Sequence, residues 1–511
     1  MTDTSKGKSP KEIFKHLRDI GCCKLCCLRY LGERSQYAYQ NPDEALQMKS
    51  LVDEVEDTEN PTKLKKDNVC TACLGLLQEN FRETFIEKII TDVNTADYDC
   101  REFSCALSMP VSFCLRTHSF NLHIDEVFPS ETDEPAEAKF MSVKEVWKWI
   151  ASPLIAKGIS KSFNPNKDCD FSITISIGYE DDEKECNCLM DMHKEIYEMR
   201  KKQKRKFKDC VLSRKSVESL LLSTDPSHFK KFYPSPPNIP NTSFTCSAVA
   251  PLHNSLFIAG RYNKYSRTLS QTPWIIDGKR LMETSVQELL CNPIIEISKA
   301  DDLRFASSGR EDVDVRMLGK GRPFFCELIN PHRVHLQPSQ FRNIEKAIAS
   351  TTKDVAARHL QIVSKDQVSQ IKAGEEEKVK LYSAYCIVSG DKACVDWGKL
   401  ESLPPKCPIV LQQKTPIRVL HRRSLATRER TIFRLEVCKT ETEESKAFIL
   451  KMATQAGTYI KEFVHGDFGR TTPSLRDLLG TDVDILALDV LDIELDWPPE
   501  VNYDEESESV T

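Results

Sequence analysis

Apolar positions recur along this chain in two rhythms, and the two predict different elements. Residues 81–90, 143–155 and 285–291 space their apolar side chains at helical intervals, and 341–359 does so over a longer run. Residues 171–177 alternate apolar and polar positions with the period of two that a half-buried strand requires. Shorter runs at 111–115, 380–388, 417–420 and 433–437 also read as strands. Residues 233–241 are rich in proline and read as extended chain. The pattern predicts an α/β (α+β) protein in two main parts, with the principal boundary near 240. No apolar run is long enough to cross a bilayer, and no fixed-period repeat is visible.

Length and charge sharpen this picture. A chain of 511 residues exceeds one ordinary domain, and a hydrophobic fraction of 40% supplies material for more than one core. The net charge of -6 excludes a generally basic nucleic-acid coat, so any RNA site must be local basic surface. One candidate is the run Arg200, Lys201, Lys202, Lys204, Arg205, Lys206 and Lys208, for which a solvated helix face or a nuclear-import signal are competing readings. Residues 501–511 form an acidic, solvated tail.

Twenty cysteines are many. The N-terminal residues nevertheless lack the apolar core of an export signal, so a reducing compartment, nucleus and cytoplasm with the mitochondrion left open, is expected. Paired cysteines there favour metal over disulfides. Cys23-Lys24-Leu25-Cys26 and Cys70-Thr71-Ala72-Cys73 are both C-x-x-C, a spacing that lets two turns grip one tetrahedral zinc. Their separation, filled by an acidic insert at 53–59, is longer than an ordinary zinc ribbon's. Cys22 and Cys27 are alternative ligands, and buried thiols or one redox pair are the plainer readings. Four thiolates leave no open coordination position, so the metal is expected to be structural.

The segment Gly309-Arg310-Glu311-Asp312-Val313-Asp314-Val315-Arg316 is, on its own, a charged strand or loop with its valines on one side. In context it resembles the Arg-x-Asp core of pseudouridine synthases, and specifically the archaeal and eukaryotic class with a THUMP-type N-terminal domain, the tenth class. Further ordered matches are Gly260-Arg261-Tyr262-Asn263-Lys264-Tyr265-Ser266-Arg267, Gln271-Thr272-Pro273-Trp274, Gly321-Arg322-Pro323-Phe324, and the long segment from Gly457-Thr458-Tyr459-Ile460-Lys461 to Asp467-Phe468-Gly469-Arg470. They span essentially the whole second half. Asp467-Phe468-Gly469 also spells a kinase motif, without the glycine-rich and catalytic loops that a kinase needs.

The resemblance implies residue roles. Asp312 takes the place of the indispensable carboxylate, with Asp314 a poorer fit. Tyr382 matches the tyrosine that stacks on the target base, with Tyr385 as fallback; Lys461 matches the basic partner of the Asp, and Leu488 the late apolar pocket residue. Uridine and pseudouridine are isomers, so no organic cofactor is needed, and the carboxylate serves as nucleophile or as base. A cation in contact would keep it ionised beside the base, and Lys461 or Arg310 is suited to that. Arg261, Lys264, Arg267, Lys201 and Lys204 are the expected phosphate contacts that offset the cost of extruding the uridine.

The implied organisation is a cysteine-rich zinc-binding segment at 1–80, a THUMP-like RNA-binding domain at 81–240, a synthase domain with a mixed, largely antiparallel sheet at 241–500, and the acidic tail. The expected substrate is uridine 54, uridine 55 or both in the TΨC arm of tRNA, bound by a monomer without membrane attachment. A THUMP-linked methyltransferase or thiolating enzyme would need a nucleotide or adenosylmethionine loop, and none is visible. A non-catalytic RNA-binding adaptor in small-RNA processing, built on the same fold, is the other reading.

Overall fold

In the N-terminal unit, Met1–His253, short helix α1 (Lys24–Tyr30) begins directly after Cys23, which occupies its N-cap position. Helix α2 (Glu79–Ala96) buries Phe85, Ile86, Ile89 and Val93 along one stripe and ends at Asp97 in the left-handed region. Strand β1 (Glu102–Ser108), β2 (Ser162–Phe163), β3 (Phe171–Gly178) and β4 (Thr245–His253) form a sheet in the order β2-β1-β3-β4. Burial in β3 alternates strictly, with Phe171, Ile173, Ile175 and Ile177 inward, as its sequence period requires. Helices α3 (Ser112–Val127) and α4 (Val143–Ile159) connect these strands; the Ser142 hydroxyl caps α4 by accepting from the Glu145 N–H.

These observations come from a computed structural model, which describes residues 9–52, 68–129, 139–166, 168–202, 213–372, 378–389, 395–440 and 446–501. Lys204, the insert at 53–59 and nearly all of the acidic tail lie outside the described residues, as does the side chain of Lys201. No helix among the described residues is long and apolar enough to cross a membrane.

Three elements differ from the sequence expectation. Residues 111–115 open helix α3 instead of forming a strand: every residue from Ser112 to Arg116 is buried, and a short run buried all round carries no period to choose by. The unit boundary falls after His253, not at 240, because β4 lies beyond the proline-rich segment and pairs antiparallel with β3. The cysteine-rich segment, expected as a stretch of its own, falls in the same compact unit as residues 81–240.

The C-terminal unit, Asn254–Thr511, carries β5 (Leu256–Lys264), the small hairpin β6 (Ile275–Ile276) and β7 (Lys279–Arg280), helix α5 (Val286–Ser298), β8 (Asp302–Ser307), β9 (Val315–Ile329), helix α6 (Pro338–Thr351) and β10 (Val355–Val363). After these come β11 (Val379–Val388), β12 (Ile409–Lys414), β13 (Thr427–Lys439), β14 (Ala447–Gln455), helix α7 (Ile460–His465), β15 (Thr471–Thr472) and β16 (Val483–Ile493). The large sheet runs β10-β5-β9-β16-β11-β14-β13-β12-β15, with β8 also on β9. It is mixed and largely antiparallel: β9 with β16 is its parallel pairing among the described residues. That seam divides two cores. One gathers Tyr262, Phe324, Phe341 and Ile344 with α5 and α6; the other gathers Leu450, Phe463, Leu488 and Val490 with α7.

Two more sequence expectations change here. The helix expected over 341–359 stops at Thr351, where two β-branched threonines meet, and burial then tracks strand β10 through Val355, Ala357, Leu360 and Val363. Residues 417–420 form a single tight turn, not a strand, since the Ile417 N–H is taken by the Asp467 carboxylate at 3.2 Å and no ladder partner is left for it.

Candidate active site and metal centre

The loop between β8 and β9 carries the Arg-x-Asp segment, and its geometry is fixed from beneath. Gly309 has φ +88°, a left-handed backbone that favours glycine, and a Cβ there would press on Lys380 Nζ at 2.7 Å and Arg322 Nη1 at 2.9 Å. The Glu311 side chain is fully buried; it accepts from Arg322 Nε at 2.7 Å and from the Tyr262 hydroxyl at 2.8 Å. Arg322 Nη1 also donates to the Ser308 carbonyl at 2.7 Å. Gln271 Nε2 donates to the Tyr262 oxygen, to Ser307 Oγ and to the Gly309 carbonyl. On the far side of the loop, buried Lys264 donates to the carbonyls of Leu269, Asp312 and Val313 at 2.8, 3.2 and 2.7 Å. Glu311 is thus held inward, and its neighbour Asp312 is free to face a cleft.

That cleft is about 470 Å³ in volume, and its lining includes Gln271, Trp274, Arg310, Asp312, His421 and Arg422. Asp312 Oδ2 accepts from Arg418 Nη1 at 2.8 Å and lies 3.6 Å from Lys461 Nζ. Lys461 is closer to Asp314, at 2.7 and 2.9 Å from its two oxygens. Burial pushes the Asp314 carboxyl up, but the hydrogen bond and charge of Lys461 outweigh it and hold the group below the usual range. Arg418 is itself gripped at Nε by Glu462, 2.7 Å away and buried. A carboxylate, two cations and a cleft therefore meet at the start of β9, beside the parallel seam. Such a group can hold an ionised carboxylate against an electrophilic or acidic substrate carbon.

Tyr382 and Leu488 stand on the adjoining strands and are not among the residues lining the cleft. Tyr382 on β11 faces Val490 of β16 across the ladder and packs against the second core. Burial raises its phenol pKa, with Arg322 opposing and Glu311 reinforcing, so its ring lies within the field of the pair that clamps the loop. Leu488 is buried opposite Ala384 and beside Val315, three residues after Asp312.

A second cluster lies in the N-terminal unit. Cys23, Cys26, Cys70 and Cys73 are all buried, and their sulfurs lie within 4.8 Å of one another. A tetrahedron with bonds of ~2.3 Å sets its sulfurs roughly 3.8 Å apart, and Cys23 and Cys73 are at 3.8 Å. Backbone N–H groups of Cys23 and Leu77 donate to the sulfurs of Cys70 and Cys73, and buried Arg29 reaches Cys26 Sγ at 3.6 Å. These donors suit thiolates bound to a cation, so the four residues fit a metal ion. Cys22 and Cys27 are buried but outside this quartet.

Comparison with known proteins bears on both units. A family model described as "Pus10, C-terminal" matches residues 257–494, and one described as "Eukaryotic Pus10, N-terminal" matches 70–250. The tRNA pseudouridine synthase Pus10 of Mus musculus is 38% identical over 450 residues, which is 88% of this chain and 82% of the mouse protein. That of Xenopus laevis is 34% identical over 96% of this chain and 98% of its own. The chain belongs to the Pus10 family. It is therefore a pseudouridine synthase by family, and an isomerase. A Pus10 protein of the archaeon Thermofilum pendens is 36% identical over 47% of this chain and 52% of its own length.

Within this Pus10 chain two expected phosphate contacts are corrected. Lys264 is fully buried with three carbonyls on its ammonium, and burial lowers its pKa to about 8. Arg261 is buried too, and its guanidinium is spent on the carbonyls of Lys320, Gly321, Leu495 and Trp497. A group so enclosed cannot meet a phosphate without dismantling the loop support it provides. Arg267 is half-buried, bonded to the carbonyls of Asp314 and Leu488 and paired with Asp489 at 2.6 Å. Arg310 is exposed at the cleft. Sequence reasoning missed Arg418, Glu462, Glu311 and Arg322. One signal was present: residues 414–428 carry Lys414, Arg418, Arg422, Arg423 and Arg428 without a single acid.

Proposed function

We propose that this chain isomerises uridine 54, uridine 55 or both in the TΨC arm of tRNA, with Asp312 as the reacting carboxylate. The observation that carries the reading is Asp312 in the lining of the cleft, its carboxylate bonded to Arg418 and close to Lys461, on a loop clamped by Glu311 and Arg322. Breaking the glycosidic bond and rejoining C5 to the sugar changes no oxidation state. The protein's task is to expose the uridine, hold the carboxylate ionised and keep the detached uracil in place. Arg418 and Lys461 serve the second requirement by opposite charge. Tyr382 serves the third, through its aromatic face, once the base has entered past the cleft. Arg267, Arg310, Arg422 and Arg423 supply phosphate contacts, joined by the run at 200–208.

The four cysteines bind one structural zinc, held by Cys23, Cys26, Cys70 and Cys73. It closes the N-terminal unit and takes no part in the reaction. That unit acts as a THUMP-like module that grips the tRNA.

The test is incubation of the purified protein with an unmodified tRNA transcript and mapping of pseudouridine at single-nucleotide resolution. Conversion at 54 or 55 by the wild-type chain, and none by Asp312→Ala with tRNA affinity retained, is the expected result. Equal loss of conversion and affinity would assign Asp312 to binding or folding instead.

A further inference from the structure

The turn Gly466-Asp467-Phe468-Gly469 comes directly after helix α7 and contains an unusual combination. Four successive residues have positive φ: +82° at Gly466, +46° at Asp467, +53° at Phe468 and +80° at Gly469. Glycine adopts such angles freely, but for phenylalanine they are strained, because its Cβ crowds the backbone carbonyl. The ring gains nothing from the fold in return. Phe468 is 91% exposed, the most exposed large hydrophobic side chain among the described residues. A strained backbone that presents an apolar ring to water is costly twice over, and persists only where its surroundings impose it.

The surroundings do impose it. Asp467 is buried; its carboxylate accepts from the Ile417 N–H at 3.2 Å, and its own N–H donates to His465 Nδ1 at 3.0 Å. The N–H groups of Gly469 and Thr471 both donate to the Gly466 carbonyl, and that of Arg470 to the Asp467 carbonyl. The Arg470 side chain donates to the Thr415 carbonyl at 2.7 and 3.2 Å. The turn is therefore stitched to residues 415–417, and the next residue, Arg418, bonds Asp312. Phe468 thus stands on a rigid mount coupled to the loop that touches the reacting carboxylate. The exposed charges nearest in sequence to that loop are cationic: Lys414, Arg422 and Arg423.

We propose that Phe468 is a stacking residue for the RNA: its ring lies against a nucleobase next to the extruded uridine, replacing the stacking that the uridine gives up. An exposed aromatic ring on a turn bonded to a basic segment suits the way proteins hold unstacked bases without reading their sequence, by stacking on aromatic faces near cationic surface. A rigid mount keeps the ring's position from being lost to side-chain and backbone freedom when the RNA arrives. This role rests on the pseudouridine synthase reading given above.

Phe468→Gly and Phe468→Trp, in the full chain and with unmodified tRNA transcript, test it. Glycine removes the ring and also relieves the strained φ, so the variant should melt no lower than wild type. It should nevertheless lose about 10-fold or more in kcat/KM, the order expected for one lost base-stacking contact. The salt dependence of tRNA binding should be unchanged, because no phosphate contact is removed. Tryptophan should retain activity within about 3-fold, and its added fluorescence should be quenched by tRNA as a base stacks on it. Full activity of Phe468→Gly, or unquenched emission at saturating tRNA, overturns the stacking role while leaving the enzyme reading intact. A wild-type chain that makes no pseudouridine overturns both.

Discussion

The cysteine quartet of the N-terminal unit and the acidic loop of the C-terminal unit are both small clusters of ionisable groups, and they are built to opposite ends. In the quartet all four side chains are buried and every sulfur lies near the others, so the cluster is closed on itself. In the loop, adjacent carboxylates part company: Glu311 is fully buried on Arg322, while Asp312 keeps about a third of its side-chain surface exposed. A closed cluster can only hold the chain together. A cluster that is closed beneath and open above can hold a reactive group still and also present it. The difference teaches where to expect structural cost and where to expect catalytic cost.

The largest effect should come from opening the closed cluster. Replacing Cys70 and Cys73 by serine, or stripping metal with a chelator, should remove about one zinc per chain and the cooperative melting of the N-terminal unit, since a structural zinc contributes on the order of 10 kcal/mol to folding. Metal analysis and calorimetry read this out; a protein that never held metal would end the parallel. At the open cluster, Asp312→Ala should lower pseudouridine formation at least roughly 10³-fold. Its melting temperature should stay within a few degrees of wild type, as for a partly exposed side chain outside the core.

One residue earlier the balance should invert. Glu311→Gln leaves the Arg322 guanidinium buried without its anion, which costs about 3–5 kcal/mol. A drop in melting temperature of about 10 °C is expected, and an unchanged melt would show that the clamp is dispensable. Arg418→Ala should lower kcat by about 10²-fold through loss of the charge-assisted hydrogen bond that orients Asp312, with Arg418→Lys restoring part of it. A change in KM alone would make Arg418 a binding residue.

The smallest effect concerns pH. Burial pushes the Asp489 carboxyl up, but Arg316 and Arg267 outweigh that and hold it below the usual range. A depressed carboxylate contributes its stability above the unfolded value of about 3.9 and loses it as pH falls through the folded one. The melting-temperature gap between wild type and Asp489→Asn should therefore be flat from pH 8 to about 5 and shrink below about 4.

Much of this was legible in the sequence where one local rule decides. The alternation in 171–177, the C-x-x-C pairs and the Arg-x-Asp segment each carry their meaning within a few residues, and they lead to β3, the quartet and the cleft-side carboxylate. What stayed hidden depends on contacts distant along the chain. Arg418 reaches Asp312 across 106 positions, and two of the carbonyls that enclose Arg261, those of Leu495 and Trp497, lie 234 and 236 positions away. Basic residues look alike in a sequence; only the packed chain separates those that clamp a loop from those that face a ligand. The same holds for 417–420, read as a strand from its apolar residues, where the Ile417 N–H instead meets the Asp467 carboxylate fifty positions away.

The strand Thr245–His253 has a practical corollary for dissecting the molecule. The proline-rich stretch invites a cut near 240, yet severing the chain there would strip β3 of its antiparallel neighbour and leave Phe171–Gly178 as a bare margin. Unpaired margins of that kind recruit other chains. A fragment ending after His253 keeps its ladder complete, and should stay monodisperse where the shorter one clumps.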